Sequence, residues 1–261
     1  MKWHRILALM LKYWYITIAR ADRLFDVFYW PMIDLVVWGF ASKFITELSE
    51  VNLLSVLLGA VILWTFLWRA SQDMSVYVLE DFWSRNLYHL FSSPIKVSEH
   101  IIAIILFGLG RSLVTFVFLA ILAFALYAFN IFSIPLFFLI IAIFLLSLLG
   151  WILGLVITGL IFRFGQRIQV LAWSVVWILQ PFSCVFYPLS ALPPWAAAIA
   201  RVTPSTYVFE NLRNILAQRP LDYGGLGYAL IVEVIFLLLA SWYLKKSFDA
   251  AKKSGLLATG N

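Results

Sequence analysis

Residues 134–162 read IPLFFLIIAIFLLSLLGWILGLVITGLIF, a largely apolar run without a charged side chain. At 1.5 Å of rise per residue such a run crosses roughly 30 Å of hydrocarbon, and within lipid a helix satisfies its backbone internally. Working outward, five further stretches are also predominantly apolar, some with isolated charges: Phe25 to Thr46, Asn52 to Trp68, Ile101 to Phe129, Ile168 to Tyr187 and Gly225 to Leu244. The expected fold is therefore all-α, a polytopic membrane protein with six transmembrane helices over residues 25–244. Composition agrees: of 261 residues 64% are hydrophobic and 12% charged, with mean hydropathy +0.96, far from a soluble domain.

Six crossings place both termini on one side, and basic residues say which. Lys2, Arg5, Lys12, Arg20, Arg23, Arg69, Arg85, Lys96, Arg163, Arg167, Lys245, Lys246, Lys252 and Lys253 fall on the terminal side, against Lys43, Arg201, Arg213 and Arg219 opposite. The positive-inside bias makes the termini cytoplasmic, in a plasma (inner) membrane. The net charge of +6 follows from these flanks, so no nucleic-acid partner is required.

Residues 1–24 are not a span. On a helical wheel the five basic residues from Lys2 to Arg23 share one sector, and Trp3, Ile6, Leu7, Met10, Tyr13, Trp14 and Phe25 lie on the other side. That division predicts an interfacial amphipathic helix with its basic face toward anionic headgroups. The competing reading is a signal peptide ending near Ala19-Arg20-Ala21, against which Lys12 interrupts the apolar run. At the other end, 245–261 reads as a basic cytoplasmic tail.

Between spans two and three lies a charged amphipathic segment, residues 79–94, whose two faces carry Leu79, Trp83, Leu87, Leu90 and Pro94, and Asp81, Arg85, Tyr88 and Ser92. It is either a second interfacial helix or a docking helix for a partner protein. Residues 188–224 are equally distinctive. Pro188, Pro193, Pro194 and Pro204 punctuate them, and the apolar 195–200 piece is too short to cross. An outer re-entrant helical hairpin is expected, acting as a gate or as a cap over helix ends.

Catalytic patterns are missing. No Gly-Lys dipeptide allows a phosphate-cradling loop, neither H-E-x-x-H nor G-x-S-x-G occurs, and His4, His89 and His100 are scattered. The lone Cys184 excludes an internal disulfide and a cysteine-based metal site. No catalytic or metal site is expected. Asp34, Arg111 and Glu233 fall within spans, where charges face protein or water; Arg111 is expected to pair with Asp34 or Glu233, or to snorkel. Gly150, Gly154 and Thr158 form a small-residue stripe expected to pack within the chain. Of the 12 Trp, 11 Tyr and 23 Phe, most face lipid or fill the core, and a minority suits a stacking path for substrate.

The order of these features resembles the membrane subunits of ABC-2 type exporters. The resemblance rests on the basic first helix, a span opening Phe28-Tyr29-Trp30-Pro31-Met32-Ile33-Asp34, the charged segment ending Ser93-Pro94-Ile95, and Tyr187-Pro188-Leu189-Ser190-Ala191-Leu192-Pro193-Pro194-Trp195 followed by Thr203-Pro204-Ser205-Thr206-Tyr207. It implies a homodimer moved by two ATP-binding subunits, which bind ATP and magnesium, so that this chain is a transport subunit and not an enzyme. The 79–94 segment would be the coupling helix, with Trp83, Leu87, Leu90 and Phe91 as apolar knobs and Asp81 and Arg85 setting charge complementarity. Gly165 marks a lesser contact. Pro188, Leu192, Pro193, Trp195, Pro204 and Tyr207 would form the outer gate. Cargo is expected to be lipid-like, a glycan or otherwise hydrophobic. The rival from another class is a secondary transporter or channel using Asp34 and Glu233 as ion sites, against which only the second half shows a broken span.

Overall fold

The structure, a computed structural model, describes residues 2–49, 53–84, 86 and 93–254. Among these, nine α-helices and no strand occur: α1 (Trp3–Ala19), α2 (Ala21–Ser49), α3 (Leu54–Trp83), α4 (Val97–Tyr127), α5 (Leu136–Phe164), α6 (Leu171–Leu179), α7 (Pro194–Val202), α8 (Pro204–Leu216) and α9 (Tyr223–Ser254). Five of them, α2 to α5 and α9, are long and apolar enough to cross a membrane. The expected fifth span is different. It is broken into a 3-10 turn (Gly165–Ile168), the short α6 and a second 3-10 turn (Gln180–Phe182).

Local chemistry sets the helix limits. The Glu99 carboxylate accepts from the Lys96 backbone N–H at 3.1 Å, so the start of α4 closes on itself as a capping box. Gly165, at φ 69°, ends α5 in a conformation that a Cβ disfavours. Pro31 lies inside α2 and supplies no N–H for the carbonyl of Val27. The Thr115 hydroxyl donates to that carbonyl at 3.1 Å, so the break in one helix is satisfied by its neighbour α4.

The centre of the bundle is α3, in which 78% of the most apolar window is buried, against 22% in α2. Its closest approach is to α5. A Cβ on Gly150 would come within 2.4 Å of the Leu67 carbonyl oxygen, and one on Gly154 within 2.5 Å of the Met74 Cβ. The small-residue stripe therefore packs inside the chain, as expected from sequence.

Two apolar clusters fill the bundle. One joins Leu58, Leu63, Phe129, Phe138, Phe209 and Leu212; the other joins Tyr13, Met74, Phe82, Phe107, Phe162 and Phe248. They define a far end and a near end, the near end holding α1 and the last turns of α3 and α9. The broken segment runs between them: Trp173 stacks on Trp83 at the near end, and Phe186 stacks on Trp38 at 3.8 Å in the far cluster. Residues 165–186 thus traverse the bundle although no single helix does.

Three further expectations need correction. Span two does not stop at Trp68 but continues as α3 to Trp83, so residues 69–78 are helix and the start of the expected 79–94 helix is continuous with the span. Residues 245–254 are the end of α9 and not a separate tail, with Phe248 and Ala251 buried in the near cluster. The basic face of α1 points the other way. Arg5 pairs with Glu99 at 3.5 Å, Lys12 with Asp81, and beyond α1 Arg23 with Glu80, while Trp3, Leu7, Leu11, Trp14 and Ile18 are exposed. Helix α1 therefore docks its cations on buried carboxylates and turns its apolar face outward, because those carboxylates on α3 and α4 need partners more than the helix needs headgroups.

Candidate functional site

Four groups of residues bear on function, and the first is a charged layer between the two apolar clusters. Arg111 on α4 donates through Nη1 to Asp73 Oδ1 at 2.7 Å and to the Tyr77 hydroxyl at 2.9 Å, and its Nη2 reaches Asp26 Oδ2 at 3.4 Å. Arg69 on α3 approaches the same Asp26 oxygen at 3.5 Å and donates to the Asp26 carbonyl. The expected pairing of Arg111 with Asp34 or Glu233 is thus corrected: its partners are Asp73 and Asp26. Sequence reasoning did not single out Asp26, Arg69 or Asp73: Arg69 and Asp73 follow the expected end of span two at Trp68, and Asp26 stands at the very start of span one. For Arg69 and Asp73 the signal is the helical spacing of Ala70, Met74 and Tyr77, which continues an apolar stripe of α3 past Trp68 and through the charges.

The second group is the near end itself. Asp81 is buried and accepts from Lys12, with Asn86 Nδ2 donating to the same oxygen at 3.0 Å and His100 Nε2 at 3.7 Å from the other. Asp81 is therefore an internal tie between α3 and α1, not the partner-facing charge expected. Tyr13 packs against it, 3.1 Å from His100 Nδ1; burial first, then the Asp81 charge, hold its hydroxyl protonated far above the ordinary range. Leu79, assigned from sequence to the partner-facing stripe, is wholly buried. Trp83 is 42% exposed at the last turn of α3, and its Nε1 donates to Gln169 Oε1 at 3.3 Å. That bond brings together the α3 end and the turn beginning at Gly165, the two docking positions expected from sequence. Arg85, Leu87, Leu90 and Phe91 lie outside the described residues.

The third group lines a cavity of about 570 Å³ between α2, α3 and α6. Trp30, Pro31, Ile33, Trp64, Trp68, Trp173 and Trp177 form its walls, with Asp26, Asp34, Thr65 and Gln72 as polar groups. Composition alone did not say which aromatics line a path. The structure selects five tryptophans from three helices. Asp34 is half-buried here and makes no ion pair among the described residues. Glu233 on α9 lies elsewhere, 1% exposed with neither carboxylate oxygen hydrogen-bonded among the described residues, so Asp34 and Glu233 do not form one ion site.

The fourth group is the far end, where α7 and α8 meet at Thr203. A hairpin of two short helices is present, tied down by polar contacts. Glu210 accepts from the Leu189 N–H at 2.8 Å, Arg213 donates to the carbonyls of Cys184 and Val185, and Asn211 accepts from Asp222 N–H at 2.7 Å. Tyr207 donates to the Arg201 carbonyl at 2.7 Å and packs on Tyr228. Pro188 precedes the 3-10 turn Leu189–Ala191, Leu192 follows it, and Pro193 precedes α7, in whose first turn Trp195 lies against Phe182. Pro204 is the first residue of α8 and is buried.

Comparison with known proteins places this geometry. The family model described as ABC-2 family transporter protein matches residues 41–243, from the end of α2 to the middle of α9. Comparison with curated proteins gives no match. The matched region contains the cavity's α3 and α6 walls, the charged layer's α3 and α4 residues and the whole far-end hairpin, and it accounts for most of the chain. The protein therefore belongs to the ABC-2 family of transporters, as a multi-pass membrane transport subunit.

Proposed function

We propose that the chain is the permease of an ATP-driven exporter, in which two copies enclose a conduit and two ATP-binding subunits, carrying the ATP and magnesium, dock on the near end. The family is one whose permeases normally pair with an ATP-binding subunit. The basic residues collected at the near end support a cytoplasmic assignment for it. The traverse of residues 165–186 then counts as the sixth crossing, and the α7–α8 hairpin covers the outer mouth.

The observation that carries this reading is the uncovered face of α2. Ile33, Val37, Phe40 and Phe44 are exposed, and Asp34 sits among them beside the tryptophan-lined cavity. An ionised Asp in mid-helix costs roughly 2.5–3.5 kcal/mol against lipid, so a second copy or an aqueous conduit is a better neighbour for it than acyl chains. Lipid-like and other hydrophobic cargo suit an aromatic wall.

Coupling follows from the near-end ties. Movement imposed on the 84–96 connection acts on the last turn of α3, which Lys12 and Arg23 link to α1 and α2 through Asp81 and Glu80. Trp83 carries the same movement to α6 through Gln169 and Trp173. The three walls of the cavity are thus gripped at one end, the arrangement that rigid-body switching requires. Purification of the tagged chain from its native membrane tests the partnership: a stoichiometric protein containing G-x-x-x-x-G-K-[ST] is expected, and its consistent absence would remove the proposal.

A further inference from the structure

The cavity between α2, α3 and α6 combines an aromatic wall with a single uncompensated carboxylate. At its edge Asp26 is already answered, with Arg69 at 3.5 Å and Arg111 at 3.4 Å, and Asp73 answers the second arginine at 2.7 Å. Those two carboxylates and two guanidiniums sum to no charge. Asp34, two turns farther along α2, has no such partner among the described residues. Trp30, Trp64, Trp68, Trp173 and Trp177 line the same cavity.

Indole faces attract cations and repel anions, most strongly where water is thin. The chain already uses that attraction, since the Arg69 guanidinium lies 5.7 Å from the ring centroid of Trp68. A small inorganic cation needs six or more oxygen ligands, which this lining does not offer. A glycan needs many directional polar partners, yet beyond the two carboxylates the cavity offers only Thr65 and Gln72, and the Thr65 hydroxyl is donated to the Val61 carbonyl. A volume of about 570 Å³ suits a molecule of a few rings.

We infer that this cavity binds a hydrophobic organic cation, an ammonium or phosphonium carrying aromatic or alkyl arms, with its charge toward Asp34 and its arms on the indole faces. That substrate class deepens, and rests on, the reading of α2, α3 and α6 as the conduit wall. Binding is nevertheless measurable without ATP or a partner, so loss of the coupling scheme leaves the titration unchanged and failure of the titration leaves the coupling scheme standing.

The test is titration of the purified full chain in maltoside micelles with tetraphenylphosphonium, followed by tryptophan quenching and calorimetry. Tetraphenylborate, of the same shape and opposite charge, is the control. Saturable binding of the phosphonium and none of the borate is expected. Asp34→Asn should weaken the phosphonium by about tenfold or more, Asp34→Glu should retain it, and Trp177→Ala should weaken it several-fold. The exposed Trp3→Phe, far away on α1, should change nothing. Displacement by short-chain phosphatidylcholine would identify a lipid headgroup as the source of the cation, and lack of displacement a free solute. Equal affinity for phosphonium and borate, or full affinity in a folded Asp34→Asn variant, would overturn the assignment.

Discussion

Arg111 Nη1 lies 2.7 Å from Asp73 Oδ1, and both side chains are only 7% exposed, in a layer that separates the two apolar clusters of the bundle. Once both charges are inside, removing one is far more damaging than removing both. Arg111→Ala leaves Asp73 uncompensated and is expected to cost about 3–5 kcal/mol, whereas Arg111→Met combined with Asp73→Met should recover much of the loss. Thermal melting monitored by fluorescence-detected gel filtration distinguishes the two.

Lys12 and Asp81 make the corresponding tie between α1 and α3 at the near end. Lys12→Ala abandons a buried carboxylate and should destabilise by about 1–3 kcal/mol. Hydrogen exchange along α1 should rise in Lys12→Glu and return toward the parent in Lys12→Glu with Asp81→Lys. Unchanged exchange in the single variant would show that the tie does not hold α1 in place.

Glycines in similar long helices are expected to respond in opposite directions. Gly154→Ala would drive a methyl to 2.5 Å from the Met74 Cβ and 3.1 Å from the Ser71 carbonyl, forcing α3 and α5 apart. Gly110→Ala meets nothing within 4 Å and should stabilise by about 0.5–1 kcal/mol through reduced backbone freedom. Melting of the two variants side by side tests whether the α3–α5 contact is as close as described.

Glu233 is 1% exposed and neither of its oxygens has a hydrogen-bond partner among the described residues. Glu233→Gln is expected to melt no lower than the parent, and Glu233→Leu to melt higher, because a buried acid without partners is replaced by a side chain the site tolerates better. A drop of several degrees in both would reveal a bonded role for the carboxyl.

The sequence exposes the apolar spans plainly where hydrophobicity is continuous, as in α4, α5 and α9, because lipid enforces length and polarity together. It misleads where buried charges continue a helix. Arg69, Asp73, Glu80 and Asp81 look like residues beyond the end of a span until Arg111, Asp26, Arg23 and Lys12 arrive from distant parts of the chain to neutralise them. The outward turn of α1 has the same cause, since its wheel shows two faces but not which one has carboxylates waiting for it. Ile168 to Tyr187 reads as one span because it is predominantly apolar and uncharged, although Pro181 within it limits a continuous helix. As for the site, Asp34 was singled out from its position, but the tryptophans gathered around it come from three helices and share no sequence pattern.

In the proposed exporter α2 forms a seam between two copies and moves when a neighbouring subunit binds ATP. Val37 is 55% exposed on that face, and the single cysteine, Cys184, is buried. The direct measurement is pulsed electron-spin distance between labels at Val37→Cys in the intact complex with its ATP-binding subunit, in lipid. The account predicts a defined inter-copy distance that changes between the nucleotide-free and the ATP–vanadate states. A distribution without inter-copy coupling, or one that nucleotide leaves unmoved, would contradict it.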